Sequence, residues 1–428
     1  MVRPIFNSIK ISAIALMLIG VGFHFPTLSA AAQNQSEEVD LGVLDPFAPN
    51  PLLSQEPDPL LPNPPRDGNI LSESEQETLA PELDRLNAEA TALLAAGNAI
   101  AAFELWTREL RLRRYFGPLE EIAALERVGL ISWENGQRLY LEFITDRLHQ
   151  ILLNSPDQTI LEALGNAFQT VRAKDYGIQA YQRLLEIYAE DNIWQKEGWL
   201  NAIAVIYLNW LDYPQAAAAY RELLRTQQQI ENLRQRGELP PPPPPIANGN
   251  PPPSRLQSLR NLAFIYEQMR EFLEAIATRD QLVEYHLGQS NLGPIPDLKI
   301  AIATNHEQLG QFQQAGQAYQ QAYQFAINIQ QFENASIALA RLAQLYMEQN
   351  QTETALELYQ AKLLVNQRSF NFFSMMNTYD SIGEIHRQKQ AYPQALQAFQ
   401  RALQLAQQLQ HKEDYFLAKI DEINRQIR

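Results

Sequence analysis

A small residue returns every 40 positions through the second half of the chain, at Ala263, Ala303, Ala343 and Gly383. A second follows each by 12 positions, at Ala275, Ala315, Ala355 and Ala395. A fixed period of roughly 20–50 residues marks stacked supersecondary units, none of which can bury its apolar face alone. Such a chain must fold as a repeat scaffold. Its function is then to be sought on surfaces and not in one catalytic cleft.

Carried backwards, the register continues through Ala204, Gly165, Gly129 and Ala90, which makes eight units. Only the step from Ala204 to Ala263 is long, at 59 residues, and the sequence assigns its excess to Gly237–Ser254. That stretch holds Pro240–Pro245 and Pro251–Pro253. It should be an extended polyproline arm rising about 3.1 Å per residue, placed between units and not within a helix. Three positions after the small residue stands a large one: Phe168, Tyr207, Tyr266 and Tyr346, with His306 and His386 in the same slot. Sixteen after it come Trp106, Tyr181, Tyr220, Tyr319, Tyr359 and Phe399. Offsets of 12, 16 and 19 share one face of a second helix, because residues three and four apart are helical neighbours. Strand formers are thin, so the fold class is all-α. Residues 71–428 should form about eight antiparallel helix pairs, beginning where Ser72-Glu73-Ser74-Glu75 makes a capping box. Pro81 suits the first turn of the helix after that.

The pattern resembles the tetratricopeptide repeat. The clearest copies are Ile382-Gly383 with Ala395, Phe399 and Ala402, and Ile203-Ala204 with Tyr207, Ala216 and Tyr220. The resemblance covers residues 81 to about 410, with a capping helix after it, and implies a right-handed superhelical solenoid. Here the period is longer than the usual repeat. Glu109, Arg279 and Lys362 depart from the expected residue types, and the unit around Gly129 has Ser132, Leu141 and Thr145 in signature positions. More loosely, the proline-rich lead followed by Leu83–Arg85 and Glu104–Tyr115 resembles exported repeat proteins of photosynthetic bacteria, for which no shared activity is implied.

The two ends carry other signals. Arg3 and Lys10 precede an apolar run over Ile11–Phe23, and Ala30-Ala31-Ala32 supplies a cleavage site before Gln33. This is the three-part grammar of a secretory signal peptide over 1–32. The run of about 13 residues falls short of the ~20 a spanning helix needs. An uncleaved anchor is the alternative, and would tie the protein to a membrane. Export implies a periplasm or lumen-like compartment. The chain has no cysteine, so disulfides and thiol chemistry are excluded. Its net charge of −15 disfavours nucleic acid, since a chain this acidic repels phosphate backbones.

Residues 33–70 read as a disordered, acidic, proline-rich linker. Two readings stand for it: a spacer, or a docking peptide whose doubled Pro-Leu-Leu, at Pro51–Leu53 and Pro59–Leu61, anchors in a partner's groove. Arg108, Arg111, Arg113 and Arg114 form the densest basic cluster, three of them in steps of three along one helix. They either complement a helix C-terminus or contact anionic lipid or an acidic partner.

Catalytic motifs such as G-x-S-x-G, a P-loop or H-E-x-x-H are absent from the sequence, and paired acids such as Glu120-Glu121 sit at helix starts, where carboxylates suit the dipole. His306 and His386 read as packing substitutes for tyrosine; His149, His286 and His411 lack partners at ligand spacing. Trp194, Trp199, Trp210 and Tyr207 read as inter-repeat packing. No enzyme activity, cofactor or metal is expected. The expected ligand is a protein or peptide on the concave face. By the resemblance, that face is lined by first-helix positions three before, one after and four after the small residue. These include Asn166, Asn201, Arg260, Glu267, Thr304, Glu307, Gln344, Asp380, Glu384 and Arg387. The Lys/Asn set that clamps a C-terminal carboxylate in chaperone-binding relatives is missing. The expected function is a non-catalytic exported scaffold, assisting envelope or membrane-complex assembly. The alternatives are a cell-wall-associated solenoid enzyme module and an intracellular peptide-sensing regulator. Oligomeric state is not legible in the sequence.

Overall fold

The computed structural model describes residues 49–54, 56–65, 69–190, 192–241 and 254–427. The leader expected over 1–32, residues 33–48 of the lead and the proline tract at 242–253 lie outside the described residues. Among the described residues there are seventeen α-helices and no strand; Asp58 and Leu61 form an isolated β-bridge.

Sixteen of the helices make eight consecutive hairpins. They are α1 (Glu73–Ala95) with α2 (Ala99–Arg113), α3 (Pro118–Glu134) with α4 (Arg138–Asn154), and α5 (Gln158–Thr170) with α6 (Lys174–Tyr188). Next come α7 (Ile193–Asn209) with α8 (Tyr213–Arg236), α9 (Arg255–Gln268) with α10 (Phe272–Gly288), and α11 (Ile295–Gln308) with α12 (Phe312–Asn328). The series closes with α13 (Phe332–Glu348) and α14 (Thr352–Arg368), then α15 (Phe372–Gln388) and α16 (Tyr392–Leu409). A final helix, α17 (Glu413–Ile427), packs on α16. Most helices pack first on their hairpin partner and then on the next unit, with α3 dividing its contacts between α4 and α5, so the all-α solenoid expected from the register is the fold.

The backbone keeps a shorter beat than the side chains. Left-handed residues stand at Arg270, Ser290, Gly310, Gln330, Asn350, Phe370, Gln390 and Gln410, a step of 20 throughout. Each ends a helix in the same way. The following N–H turns back to a carbonyl five residues earlier, as from Glu271 to Tyr266 at 2.8 Å and from Gln331 to Ala326 at 2.8 Å. This 6→1 bond of the Schellman motif satisfies a carbonyl that the helix end would leave bare. Helices of 17 residues alternating with turns of three, as from α12 to α15, produce the step.

The small residues of the register, from Ala90 to Gly383, are buried at the contact between first and second helices. The large residue sixteen positions on fills the space beside them: Trp106, Tyr220, Tyr319 and Phe399 are fully buried. The unit around Gly129 forms its hairpin despite its poor signature, although α3 packs as closely on α5 as on α4 and α4 ends at an extended Ser155. Ser132 is buried, its hydroxyl bonded to the Val128 carbonyl at 2.8 Å, and its own carbonyl receives the capping N–H of Gln137.

Two expectations need correction. Pro81 does not open a new helix; it lies inside α1. It is exposed there, so water can take the Glu77 carbonyl that the missing N–H leaves free. The long step before Ala263 is also not all loop, because α8 has 24 residues where α14 has 17. The insertion does lie between units. Gly237 ends α8 with a left-handed backbone, and the Ser254 hydroxyl caps α9 by accepting from the Gln257 N–H.

The three departures from the repeat pattern are the buried charges of the second helices. Glu109, fully buried on α2, accepts two bonds from Arg127 of α3 at 2.7 and 2.8 Å. Arg279 on α10 pairs with Glu267 at 2.6 Å. Lys362 on α14 donates to two hydroxyls of α15, Ser374 at 2.8 Å and Thr378 at 2.7 Å, with no carboxylate paired to it among the described residues. Burial pushes its ammonium down to about 8.

Candidate functional site

The ten polar residues expected to line a binding face all lie on first helices, from α5 to α15. Asn166, Arg260 and Gln344 are exposed; the other seven are half-buried. Several are held by neighbours. The Tyr181 hydroxyl donates to Asn166 Oδ1 at 2.7 Å, and the Tyr319 hydroxyl lies 3.2 Å from Thr304 Oγ1. Both tyrosines occupy the slot sixteen positions after the small residue, and burial pushes the Tyr319 hydroxyl up to about 12. Glu267 is the partner of Arg279. Glu307 is raised above the usual carboxylate range, chiefly by burial.

At the C-terminal end the ladder is occupied. Asp380 accepts from the Tyr415 hydroxyl at 3.2 Å, Glu384 meets Lys419 at 2.5 Å, and Arg387 reaches Glu422 at 3.6 Å. Each pair spans 35 residues, so the stripe of α15 that was expected to face a ligand faces α17 instead. The physical reason is stacking: these positions point toward the next first helix, and α17 stands in that place. Burial raises the Asp380 carboxyl. For Glu384 burial pushes the same way, but hydrogen bonds from Lys419 and Arg387 outweigh it and the group is lowered.

The aromatics divide. Trp199 is buried and its indole N–H donates to Glu162 at 3.0 Å, joining α7 to α5. Trp194 donates to the Pro240 carbonyl at 3.0 Å. Trp210 is half exposed, beside Arg172 and Lys174 at a surface cleft of about 120 Å³. His306 Nδ1 lies 2.6 Å from Gln311 Oε1. Among the described residues no three His, Asp or Glu side chains converge as metal ligands.

A second face carries a feature the sequence reading missed. Residues 50–54 and 56–61, within the stretch expected to be a disordered linker, lie along α2 and α4. Pro51–Leu53 form a short 3-10 turn, started by Asn50 Oδ1 accepting from the Leu52 N–H at 3.0 Å. Asn50 Nδ2 donates to the Phe143 carbonyl of α4 at 2.8 Å. Leu52 is buried among Phe103, Leu110, Val128, Tyr140 and Ile144. Arg114 donates to the carbonyls of Leu52 and Ser54, at 3.4 and 3.0 Å. Asp58 is buried and accepts a fork from Arg108 at 2.7 and 2.8 Å, with Arg111 at 3.7 Å. The Arg108 guanidinium holds the Asp58 carboxyl below the usual range. Leu60 and Leu61 pack on the cluster of Leu71, Leu79, Leu83 and Leu112. The arginine band is thus partnered by the chain's own lead. Both signals were in the sequence, the band and the doubled Pro-Leu-Leu, but nothing local joined them.

The family model of the tetratricopeptide repeat matches residues 338–369 and 378–413, which cover most of the last two hairpins and reach the start of α17. No curated protein matches the chain. Similar solved structures include the apo form of RapI, at 11% identity and TM-score 0.37, covering 81% of this chain and 98% of that one. The C-terminal part of a TPR repeat-containing protein from Cytophaga hutchinsonii is 12% identical with TM-score 0.39, covering 65% and 95%. BtubC (BKLC) from P. vanneervenii is 14% identical with TM-score 0.35, covering 56% and 90%.

Proposed function

As a tetratricopeptide-repeat protein, the chain is, we propose, an exported, non-catalytic scaffold that holds protein or peptide partners on its first helices. The observation that carries the reading is the polar first-helix face itself. Asn166, Arg260 and Gln344 present amides and a cation to solvent from three different units, in a stack whose last rung is already closed by α17. Amides and charges at regular spacing suit hydrogen bonding to an extended polypeptide, and a solenoid offers such a surface without a cleft. The positive leader and apolar run over residues 3–23 support export, with assembly of an envelope or membrane complex as the setting. An uncleaved leader would add membrane attachment. The net charge of −15 argues against a nucleic-acid partner.

The test compares wild type with the triple variant Asn166→Ala, Arg260→Ala, Gln344→Ala. Each tagged protein is crosslinked in its native host and purified from fractionated cells. The reading expects a defined partner set, reduced at least several-fold in the triple variant, from a fraction in which N-terminal sequencing finds the chain starting near Gln33. Equal recovery of every partner by the folded triple variant would remove the first-helix face from consideration. Glycan cleavage by the purified protein, lost on changing one glutamate, would replace the scaffold with an enzyme.

A further inference from the structure

Residues 50–54 and 56–61 are held against α2 and α4 in the manner of a bound peptide, and not as a core segment. Two of their side chains are buried, Leu52 and Asp58; the rest of the described ones are half-buried or exposed. The contacts fall into three kinds. Arg114 takes the main-chain carbonyls of Leu52 and Ser54, which any sequence could offer. Leu52 is buried in the apolar cluster of Phe103, Leu110, Val128 and Ile144. Asp58, six residues on, enters the fork of Arg108 with Arg111 close by. Main-chain bonds supply register, while a side-chain pocket and a bidentate charge pair supply selectivity. Proline at positions 51, 57 and 59 limits the freedom such a segment loses on docking.

We propose that the groove between α2 and α4 is a peptide-binding site, filled here in cis, whose partner in trans is an acidic, proline-bearing peptide with a leucine and an aspartate six residues apart. It lies on the second helices and does not rest on the first-helix reading. The tethered segment competes at an effective concentration of order millimolar. A partner therefore enters when it matches the anchors better, or when the lead is displaced.

The probe is a fluorescent peptide of residues 49–62, titrated into the full chain and followed by anisotropy. In the variant Leu52→Ala, Asp58→Ala the cis segment loses both anchors, and the peptide should bind saturably and at least ten-fold tighter than to wild type. Adding Arg108→Ala to the opened protein should cost about ten-fold, as should replacing the peptide's aspartate by asparagine. Circular dichroism and melting establish that each protein is folded. If the double variant is not folded, Asp58→Asn alone serves: it keeps Leu52 seated and should admit the peptide several-fold better than wild type. No binding by a folded opened protein overturns the proposal. So does equal binding of a scrambled peptide, or indifference to Arg108→Ala.

Discussion

The ring of Phe399 stands where a Cβ on Gly383 would be: the nearest ring carbon lies 2.6 Å from that position. The two residues are sixteen apart on the paired helices α15 and α16, and the same relation joins Gly165 to Tyr181, also at 2.6 Å. In these units glycine is the small residue because the aromatic has taken the methyl's volume.

Gly383→Ala should therefore destabilise the chain. Displacing a packed ring costs about 1–3 kcal/mol, and the ~1 kcal/mol of helix propensity gained by alanine offsets only part of it. Adding Phe399→Leu should recover most of the loss, and a double-mutant cycle in urea reads the coupling. Gly316 is the control. Its added methyl would meet Leu342 and Leu345 at 3.7 Å, an ordinary contact, so Gly316→Ala should raise stability by up to about 1 kcal/mol.

The turns make a second prediction. Gly310 has φ 68° and open space where a side chain would go, so Gly310→Ala carries only the left-handed backbone cost, roughly 1 kcal/mol. Gln330 holds φ 59°, and Gln330→Gly should move the melting temperature the other way. Equal and opposite shifts in thermal melts would show that each turn stores the same strain.

Lys362 gives a pH dependence. Its folded value is depressed to about 8, against about 10.4 for a free lysine. Below pH 8 both states are charged, and the folded one bears the full burial cost. Between about 8 and 10.4 the unfolded chain binds more protons, so stability rises with pH. Relative to Lys362→Met, wild type should gain on the order of 1–3 kcal/mol between pH 7 and pH 10, at about 1.4 kcal/mol per unit. Parallel urea midpoints for the two proteins across that range would contradict it.

Asp58 works in the opposite sense. Its carboxyl is held below the usual range by Arg108. The lead's attachment is then complete above about pH 3.9 and weakens as pH falls through the lowered value. Arg108→Ala removes the bidentate fork, leaving the buried carboxylate to Arg111 and the Leu60 N–H, and should loosen the lead at neutral pH as well. Limited proteolysis near Glu56 reads both effects: cleavage at pH 7 should be several-fold faster in the variant than in wild type.

How much of this was legible in the sequence depends on what each feature requires. The 40-residue beat was visible because close helix contact restricts residues such as Ala343 and Gly383 to small types. The 20-residue backbone beat was hidden, since a Schellman turn accepts Arg270, Phe370 or Gln410 at modest cost and leaves no residue signature. Ser132 weakened the second unit's motif without disturbing its fold, because its hydroxyl satisfies itself on its own helix. The register places all ten polar positions on first helices, but that Asp380, Glu384 and Arg387 face α17 is a tertiary fact with no local signal. The docking of residues 50–61 depends on Asp58 meeting Arg108 across 50 positions, and each partner alone had a sufficient local explanation.

The joint between α8 and α9 has a further consequence. Gly237 and Ser254 finish their helices independently, and across the joint Tyr220 meets Asn261 at 2.8 Å while Leu223, Leu262 and Ile265 share one apolar cluster. The two sides recognise each other through side chains. The faces on either side are complementary in themselves, as those of two separate polypeptides would be. Severed within 242–253, they should still reassemble.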